Sequence, residues 1–280
     1  MNGLLVYLGG QDPRLAYQLQ TLTEAFAKLR IKMIAVPSQD ITRLLETTKK
    51  GFFKLALLLT NDVQVAKYLE TEQQIKVFND ASTINLCLDR ALLSITLRNA
   101  GIASPETIAL PYVVNVNVMQ TISDVKAMMQ QLRYPVLIKN RYPQFNEKIY
   151  FARDEKELIK ILPPIGMQPL IIQAYVPQEN RQLFKVLIVG KKALAGVEVV
   201  QENGKEFLKQ NPLPSSVKKI AIQAAKTIGA TYSLVSVFYL ENTKPYVYSV
   251  KSNPNIVELQ IATGIYLSWY LAKHIASKLK

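Results

Sequence analysis

The first 80 residues alternate short apolar runs with stretches of helical spacing, and this alternation constrains the fold more than any other feature. Four apolar runs predict the strands of this part: residues 3–8, 31–36, 54–59 and 75–78. Asp12 followed by Pro13 is typical of a helix start between the first two. Strands separated by helices of this length predict βαβ units and a parallel sheet.

The rest of the chain carries more signals of antiparallel strands. A helix is predicted over 82–99, and the strand 134–140 is expected to pair with 148–153. Pro163-Pro164 ends a short predicted helix and is the best linker candidate. The last third is predicted to hold an antiparallel set of three strands, a hairpin and a final helix: residues 170–176, 183–190, 192–200, 233–241, 245–251 and 259–279.

Composition argues against several classes of protein. No apolar stretch approaches the roughly 20 residues that cross a bilayer, so no membrane partner is expected. Cys87 is the only cysteine, which excludes an internal disulfide and favours a reducing, cytoplasmic location. His274 is the only histidine, which argues against a histidine-based metal cluster or a Ser-His-Asp triad.

The formal net charge of +13 favours an anionic partner. A nucleotide, a nucleic acid, an acidic protein and an anionic lipid surface all fit that charge. The basic residues are scattered, with no run of five or more. Charge alone therefore gives little support to specific nucleic-acid binding.

Several segments, taken in order, resemble the ATP-grasp superfamily, most closely its RimK-like carboxylate–amine ligases. The segments that carry the resemblance are residues 77–110, 134–140, 170–176, 183–197, 224–230, 246–256 and 262–264. The resemblance implies a mixed α/β and α+β fold: an N-terminal βαβ domain, then two α+β lobes with antiparallel sheets that clamp ATP. The expected domains are residues 1–80, 81–164 and 165–280. Ligases of this type are often oligomers, so a homo-oligomer is a candidate assembly.

The resemblance also implies a chemistry. Such enzymes activate a carboxylate as an acyl phosphate, which an amine attacks to form an amide. Mg²⁺ gathers the phosphate oxygens and neutralises their charge. It takes oxygen ligands, so the family places an acid near the end of the penultimate strand and a Glu-x-Asn pair on the last strand.

This chain departs from the family at all three metal-binding positions. Ser236 stands at the upstream acid, Ser249 at the glutamate and Lys251 at the asparagine. At about 4 Å, a lysine and a divalent cation repel by about 2 kcal/mol even in bulk water. ATP therefore stays a candidate cofactor, whereas these residues do not support Mg²⁺.

This chain also departs from the family at the phosphate-binding loop. Its glycine-rich loop is replaced by NRYPQFNEK (140–148), which has no glycine. Pro143, Asn146 and Lys148 lie near the expected glycines. Side-chain bulk and the missing proline N–H both oppose a backbone cradle for phosphate.

Other positions keep a positive charge, or match a part of the family's site that tolerates changes of side chain. Leu183 occupies an acidic position, whereas Lys185 replaces an arginine and Arg90 replaces a lysine. Lys139 matches the strand lysine that reaches the phosphates, and 173–176 matches the hinge that binds adenine through its backbone. Solvated lysines and a buried strand explain the same residues equally well. The predicted nucleotide-binding residues are Arg90, Lys139, Gln173, Tyr175, Val176, Lys185 and Lys251.

Three functions remain open at this point. The first is a degenerate ATP-grasp protein that binds a nucleotide or another anion without metal, or serves as a partner or regulatory subunit. The second is an active carboxylate–amine ligase using shifted acids, for which Glu198, Glu241 and Glu258 are candidates. The third is a basic nucleic-acid-binding module.

Overall fold

The computed structural model confirms the parallel sheet predicted for the start of the chain. It describes residues 1–10, 12–110, 125–130, 132–143, 147–165, 168–177, 181–240 and 244–279. The sheet has the order β2-β1-β3-β4, and each of its pairs is parallel. Its strands and helices are β1 (Asn2–Tyr7), α1 (Pro13–Lys28), β2 (Lys32–Pro37), the 3₁₀ helix Ser38–Asp40, α2 (Ile41–Glu46), β3 (Phe53–Leu58), α3 (Val63–Thr71) and β4 (Lys76–Phe78).

The single helix expected over 82–99 is divided at Asp89. α4 covers Ala81–Leu88 and α5 covers Arg90–Asn99. Asp89 has extended backbone angles, and its carboxylate accepts hydrogen bonds from the N–H groups of Ala91 and Leu92. A carboxylate cap of this kind begins a new helix, so the apolar spacing that predicted one helix spans two.

A four-stranded sheet follows, with the order β5-β8-β6-β7 and antiparallel pairs. Its elements are β5 (Thr107–Ala109), the helical residues 125–129 of α6, β6 (Val136–Asn140), β7 (Tyr150–Ala152), α7 (Glu155–Ile165) and β8 (Leu170–Ala174). The expected pairing of 134–140 with 148–153 is confirmed by the register of β6 with β7.

Two expectations for this region were wrong. β8 was grouped with the two strands that follow it, but it lies between β5 and β6. Its side chains Leu170 and Ile172 complete the buried cluster formed by Val136 and Ile138 of β6, and this shared core outweighs nearness in sequence. The helix expected to end at Pro163-Pro164 continues through both to Ile165.

The last sheet has five strands in the order β11-β10-β9-β12-β13. Its elements are β9 (Arg181–Val189), β10 (Lys192–Glu202), β11 (Lys205–Lys209), α8 (Ser215–Thr227), β12 (Tyr232–Leu240), β13 (Tyr246–Lys251), α9 (Val257–Thr263) and α10 (Leu267–Ser277). The final helix expected over 259–279 is divided into α9 and α10. Gly264 separates them with φ of 67°, a left-handed conformation that ends a helix most easily at glycine.

The chain forms two compact units. One joins Met1–Cys87 with Gln182–Lys280, and the other is Leu88–Arg181. The three domains expected from the sequence, 1–80, 81–164 and 165–280, stay a prediction. None of the described helices is both long and apolar enough to span a membrane.

Asn79 connects the two sheets of the first unit. Its side chain is 1% exposed and follows β4 directly. The amide nitrogen donates to the carbonyls of Tyr232 (2.8 Å) and Ser252 (2.6 Å). The amide oxygen accepts from the N–H of Thr231 at 2.7 Å and, more weakly, from that of Tyr232. One side chain thus ties the end of β4 to the start of β12 and the residue after β13.

We predict that Asn79→Ala lowers the free energy of unfolding by about 3 kcal/mol or more, because it leaves several buried backbone groups without partners. Asn79→Asp should cost at least as much at neutral pH, since a carboxylate oxygen then faces two carbonyl oxygens. Urea titration measures both. Gln20, an exposed amide bonded to Glu24, supplies the control variant Gln20→Ala, for which about 0.5 kcal/mol or less is expected. Equal losses at the two positions would contradict the assigned role of Asn79.

His274 packs closely on the turn between β9 and β10. Gly190 lies in this turn with φ of 61°, and a Cβ there would come within 2.5 Å of the imidazole ring. The ring atom Nε2 is buried and forms no hydrogen bond with any described residue. Burial, with a smaller contribution from the Lys278 ammonium, lowers the pKa of His274 below its ordinary value.

This lowered pKa predicts a pH-dependent stability. The unfolded chain binds a proton at His274 near pH 6.5, whereas the folded protein does so only at lower pH. The contribution of the neutral ring to the free energy of unfolding is therefore complete above about pH 6.5. It is lost as the pH falls through the pKa of His274 in the folded protein. Urea titrations between about pH 7.5 and pH 5 should show a smaller loss for His274→Gln than for the wild type. Parallel pH profiles of the two proteins would be the contrary result.

Candidate functional site

Two neighbouring strands bring together the residues at the predicted metal positions. In the antiparallel pair of β12 and β13, Ser236 lies opposite Ser249, and Leu234 lies opposite Lys251. Cross-strand partners share a face, and so do residues two apart on a strand. Ser236, Ser249 and Lys251 therefore lie on one face of the five-stranded sheet. Ser236 is buried, Ser249 is half-buried and Lys251 is exposed.

Lys185 shares that face. It alternates with Leu187 and Val189 of β9, which belong to the same buried cluster as Tyr232 and Leu234 of β12. Leu183 precedes Lys185 by two residues and follows the same alternation. The face therefore continues from an apolar core to a region with two lysines, two serines and a leucine.

This set of side chains does not fit Mg²⁺. Mg²⁺ prefers carboxylate and amide oxygens in octahedral geometry, whereas Ser236 and Ser249 offer hydroxyl groups and Lys251 offers an ammonium. Within the part of the chain that the structure describes, no group of three or more His, Cys, Asp or Glu could hold a metal ion.

Two of the acids considered as substitutes, Glu198 and Glu258, have partners of their own. Glu198 is buried and accepts hydrogen bonds from Gln182 (3.1 Å) and Asn211 (2.5 Å). Its neighbour Val197 belongs to the core on the face of Ser236, so alternation places Glu198 on the opposite face. Glu258 pairs with Arg14 at 2.8 Å. Glu241 lies outside the described residues.

Lys139 and Gln173 meet in the second unit. Lys139 is only 4% exposed, and its ammonium donates to Gln173 Oε1 at 2.8 Å. At the predicted hinge, the N–H of Tyr175 donates to the carbonyl of Pro135, and the Val176 carbonyl accepts from the Arg181 guanidinium. Two of the hinge's backbone groups are thus engaged within the protein.

Arg90 already holds an anionic partner. Its guanidinium donates to both carboxylate oxygens of Glu147 and to the carbonyl of Asn140. The Arg90 and Glu147 side chains are 25% and 12% exposed. Such a two-point contact is the geometry with which arginine binds phosphate. The Glu147 carboxylate therefore binds the guanidinium that was expected to bind phosphate.

Arg141 and Asp89 form a second two-point pair beside it. The Arg141 guanidinium donates to both carboxylate oxygens of Asp89 at 2.6–3.0 Å. Burial by itself would raise the pKa of Asp89, but the hydrogen bonds from Arg141 and from the start of α5 outweigh it and lower that pKa. Together the two pairs fix residues 141 and 147, at either end of the segment that replaces the glycine-rich loop. Of the residues near the expected glycines, Lys148 lies over the Tyr150 ring at 4.8 Å, and Asn146 lies outside the described residues.

A cavity of about 490 Å³ opens in the first unit at the ends of β1 and β3. Its polar lining comes from Gly10, Asp12, Gln18, Asn253 and Asn255. Gly10 has φ of 138°, which a side chain would disfavour. Among the described residues, the lining contains amides and a carboxylate and no basic side chain, so it suits a small ligand with hydrogen-bond donors.

The comparison with known families decides the identity of the fold. A family model described as RimK-like ATP-grasp domain matches residues 89–275. That match covers well over half of the 280 residues. The chain belongs to the RimK-like ATP-grasp family.

Individual relatives of this RimK-like chain are distant. It is 23% identical over 193 residues to a Mycoplasma pneumoniae protein described as "Uncharacterized protein MG012 homolog", covering 66% of this chain and 65% of that protein. It is 20% identical over 230 residues to beta-citrylglutamate synthase B of Danio rerio, covering 78% of this chain and 55% of that protein. The chain thus spans less than two thirds of the length of each.

A solved structure shows the same fold. D-alanine–D-alanine ligase from Bacillus anthracis, complexed with ATP, superimposes with a TM-score of 0.73 at 20% sequence identity. The match covers 99% of this chain and 97% of the ligase. The ATP-grasp fold expected from the sequence is confirmed, whereas the assignment of the individual nucleotide-binding residues stays a prediction.

Sequence reasoning missed both Glu147 and the cavity. Glu147 lies 57 residues from Arg90, and no local pattern relates the two. The cavity had a usable signal, because ligands of open α/β sheets bind outside the carboxyl ends of the strands. Gly9 and Gly10 follow β1 at that edge and are the local signal of the cavity in the sequence.

We predict that Glu147→Gln lowers the free energy of unfolding by about 1–3 kcal/mol, because it removes the charge that neutralises a largely buried guanidinium. The exposed pair Lys126–Glu155, at 2.7 Å in the same unit, provides the matched control. Glu155→Gln should cost about 0.5 kcal/mol or less. Urea titration monitored by fluorescence compares them. If both variants unfold like the wild type, the Arg90–Glu147 pair contributes nothing to anchoring residue 147.

Proposed function

We propose that this protein is a RimK-like ATP-grasp protein that binds a nucleotide or another anion without a metal ion and has lost ligase turnover. One observation carries the proposal: Ser236, Ser249 and Lys251 share a face on two neighbouring strands, at the positions where the family resemblance expects metal ligands. The substitutions replace negative charge by neutral and positive groups at one place in the fold.

The physical consequence of this exchange differs for binding and for turnover. Lysine is a compact point charge that meets phosphate oxygens well, and Lys185 adds a second positive charge on the same face. One ammonium cannot bridge two phosphates and stabilise both the attacking and the leaving oxygens, as paired metal ions do. The face is therefore suited to holding an anion rather than transferring a phosphoryl group.

The second unit independently supports one part of the proposal, the loss of ligase turnover. The segment in place of the glycine-rich loop has no glycine, and Pro143 supplies no N–H. Arg90, which was expected to meet phosphate, is neutralised by Glu147. Two further features that serve phosphoryl transfer in the family are thus altered.

Ligase turnover is the alternative function, and the cavity at the ends of β1 and β3 favours it. A pocket of about 490 Å³ with Asp12, Asn253 and Asn255 in its lining can hold a small amine-bearing molecule. The relative from Danio rerio is a synthase, which keeps the alternative relevant. It requires metal ligands other than Glu198 and Glu258, which have partners of their own.

We further propose a cytoplasmic location and an acidic protein as an additional partner. The net charge of +13 supports the acidic partner. Cys87, the only cysteine, supports the location, because it cannot form an internal disulfide and a free thiol persists in a reducing compartment. Burial raises the pKa of Cys87 to about 12, so the thiol stays protonated and poorly reactive.

Calorimetric titration with ATP, in the presence and in the absence of Mg²⁺, tests the main proposal. We expect binding without Mg²⁺ and no gain of affinity when Mg²⁺ is added. The double variant Ser249→Glu, Lys251→Glu should weaken metal-free binding at least about tenfold, because carboxylates then repel the phosphates. The same variant should acquire measurable Mg²⁺ affinity.

A charge reversal at a distant position separates this effect from a general change in net charge: Lys219→Glu reverses one charge, as Lys251→Glu does. Lys219 is exposed on α8. The buried residues of α8 do not belong to the cluster that contains Leu187 and Leu234, so this helix does not pack on the face that carries Lys185 and Lys251. Lys219→Glu should leave ATP affinity within about twofold of wild type, since a single exposed charge acts weakly through water. Strict dependence of wild-type binding on Mg²⁺, together with release of ADP, would replace the proposal by the ligase alternative.

A further inference from the structure

A directed chain of hydrogen bonds leads to the ammonium of Lys139. The Thr107 hydroxyl donates to the Pro105 carbonyl at 2.9 Å. The Gln173 amide nitrogen donates to the Thr107 hydroxyl oxygen at 3.0 Å. The Gln173 amide oxygen then accepts from Lys139 at 2.8 Å. Three residues from three adjacent strands, β5, β8 and β6, take part.

The direction of this chain follows from chemistry. A carbonyl oxygen only accepts, so the single hydroxyl proton of Thr107 is used at Pro105. The Thr107 oxygen must then accept at Gln173, which turns the amide nitrogen toward it. An ammonium only donates, so Lys139 requires the amide oxygen on its side. The hydrogen bond to Thr107 and the hydrogen bond from Lys139 require the same orientation of the Gln173 amide.

The sheet places these side chains on the face away from the core of the second unit. Val136 and Ile138 of β6 lie in the buried cluster, so Lys139 points to the other face. Gln173 lies opposite Leu137 on that face and opposite Thr107 in β5. Thr107 is 8% exposed and Lys139 only 4% exposed, so water contributes little to holding either group.

We infer that Thr107 is a positioning residue for Lys139: through the Gln173 amide it holds the lysine ammonium at the place where an anionic ligand meets it. The inference rests on the proposed anion-binding function and adds a residue to it. A lysine side chain has four rotatable carbon–carbon bonds, and fixing it in advance lowers the entropy lost when the ligand binds. Loss of the Thr107 hydroxyl leaves the amide nitrogen without a partner and the ammonium less firmly held.

Titration of ATP without Mg²⁺ into a set of variants tests the inference. Thr107→Val keeps the shape and removes the hydroxyl, and we expect about a three- to tenfold loss of affinity. Thr107→Ser restores the hydroxyl and should bind within about twofold of wild type. In a Lys139→Met background, Thr107→Val should have no further effect, because the residue acts through the lysine. An equal loss in both backgrounds, or a serine variant as weak as the valine variant, would overturn the inference.

A second measurement needs no nucleotide. Trace acetylation followed by mass spectrometry gives the reaction rate of Lys139 relative to Lys126, an exposed lysine of the same unit. Thr107→Val should raise this ratio about threefold or more, and Thr107→Ser should not, since a lysine held by a hydrogen bond reacts more slowly than one released from it. An unchanged ratio in the valine variant means that Thr107 does not hold the ammonium.

The two measurements separate the inference from the function on which it rests. If the wild type fails to bind ATP, the anion-binding proposal fails, and the acetylation ratio still decides whether Thr107 positions Lys139. If ATP binds and the ratio does not change, only the role of Thr107 fails. Thermal unfolding of each variant verifies that the compared proteins are folded.

Discussion

The buried amide of Asn79 is the interaction on which the first unit depends. A parallel sheet from the start of the chain and a five-stranded sheet from its end have no continuous strand pairing between them. Asn79 satisfies backbone groups of Thr231, Tyr232 and Ser252 from a single position. Tyr232 strengthens the connection, because its hydroxyl donates to the Leu58 carbonyl at 3.0 Å. Since Ser252 directly follows β13, the same contacts set where the strand carrying Ser249 and Lys251 ends.

The face beyond this junction can change its side chains without a change of fold. The alternation of Tyr232, Leu234 and Ser236 continues a buried core into a polar region without any change of backbone. Side chains at the end of such a row contribute little to the core, because the apolar residues before them already provide the burial. Metal ligands at these positions can therefore be exchanged for serine and lysine while the sheet is kept. Fold and function are specified by different residues of one strand.

Much of the fold could be predicted from the sequence, because the deciding information is local. Apolar runs separated by helical spacing were sufficient for the parallel sheet, and the order of weak motifs was sufficient for the family. The errors arose where distant residues decide. Asp89 ends one helix and begins the next, and it pairs with Arg141, 52 residues away. Strand β8 packs in the buried cluster that contains Val136 and does not pair with the strands that follow it in the sequence. At the site, strand alternation gave the shared face of Ser249 and Lys251, but no periodicity could pair Arg90 with Glu147.

The Arg90–Glu147 pair has a consequence for any attempt to engineer metal and phosphate binding into this scaffold. A carboxylate that belongs to the chain competes with a soluble phosphate at an effective concentration set by its tether, whatever the concentration of phosphate in solution. Restoring acidic and amide side chains at positions 236, 249 and 251 would leave this internal competitor in place. Changing Glu147 alone would leave Ser236, Ser249 and Lys251 in place. Carboxylate ligands for a metal ion and a free Arg90 guanidinium for phosphate therefore require changes in two separate parts of the chain, one on β12 and β13 and the other at residue 147.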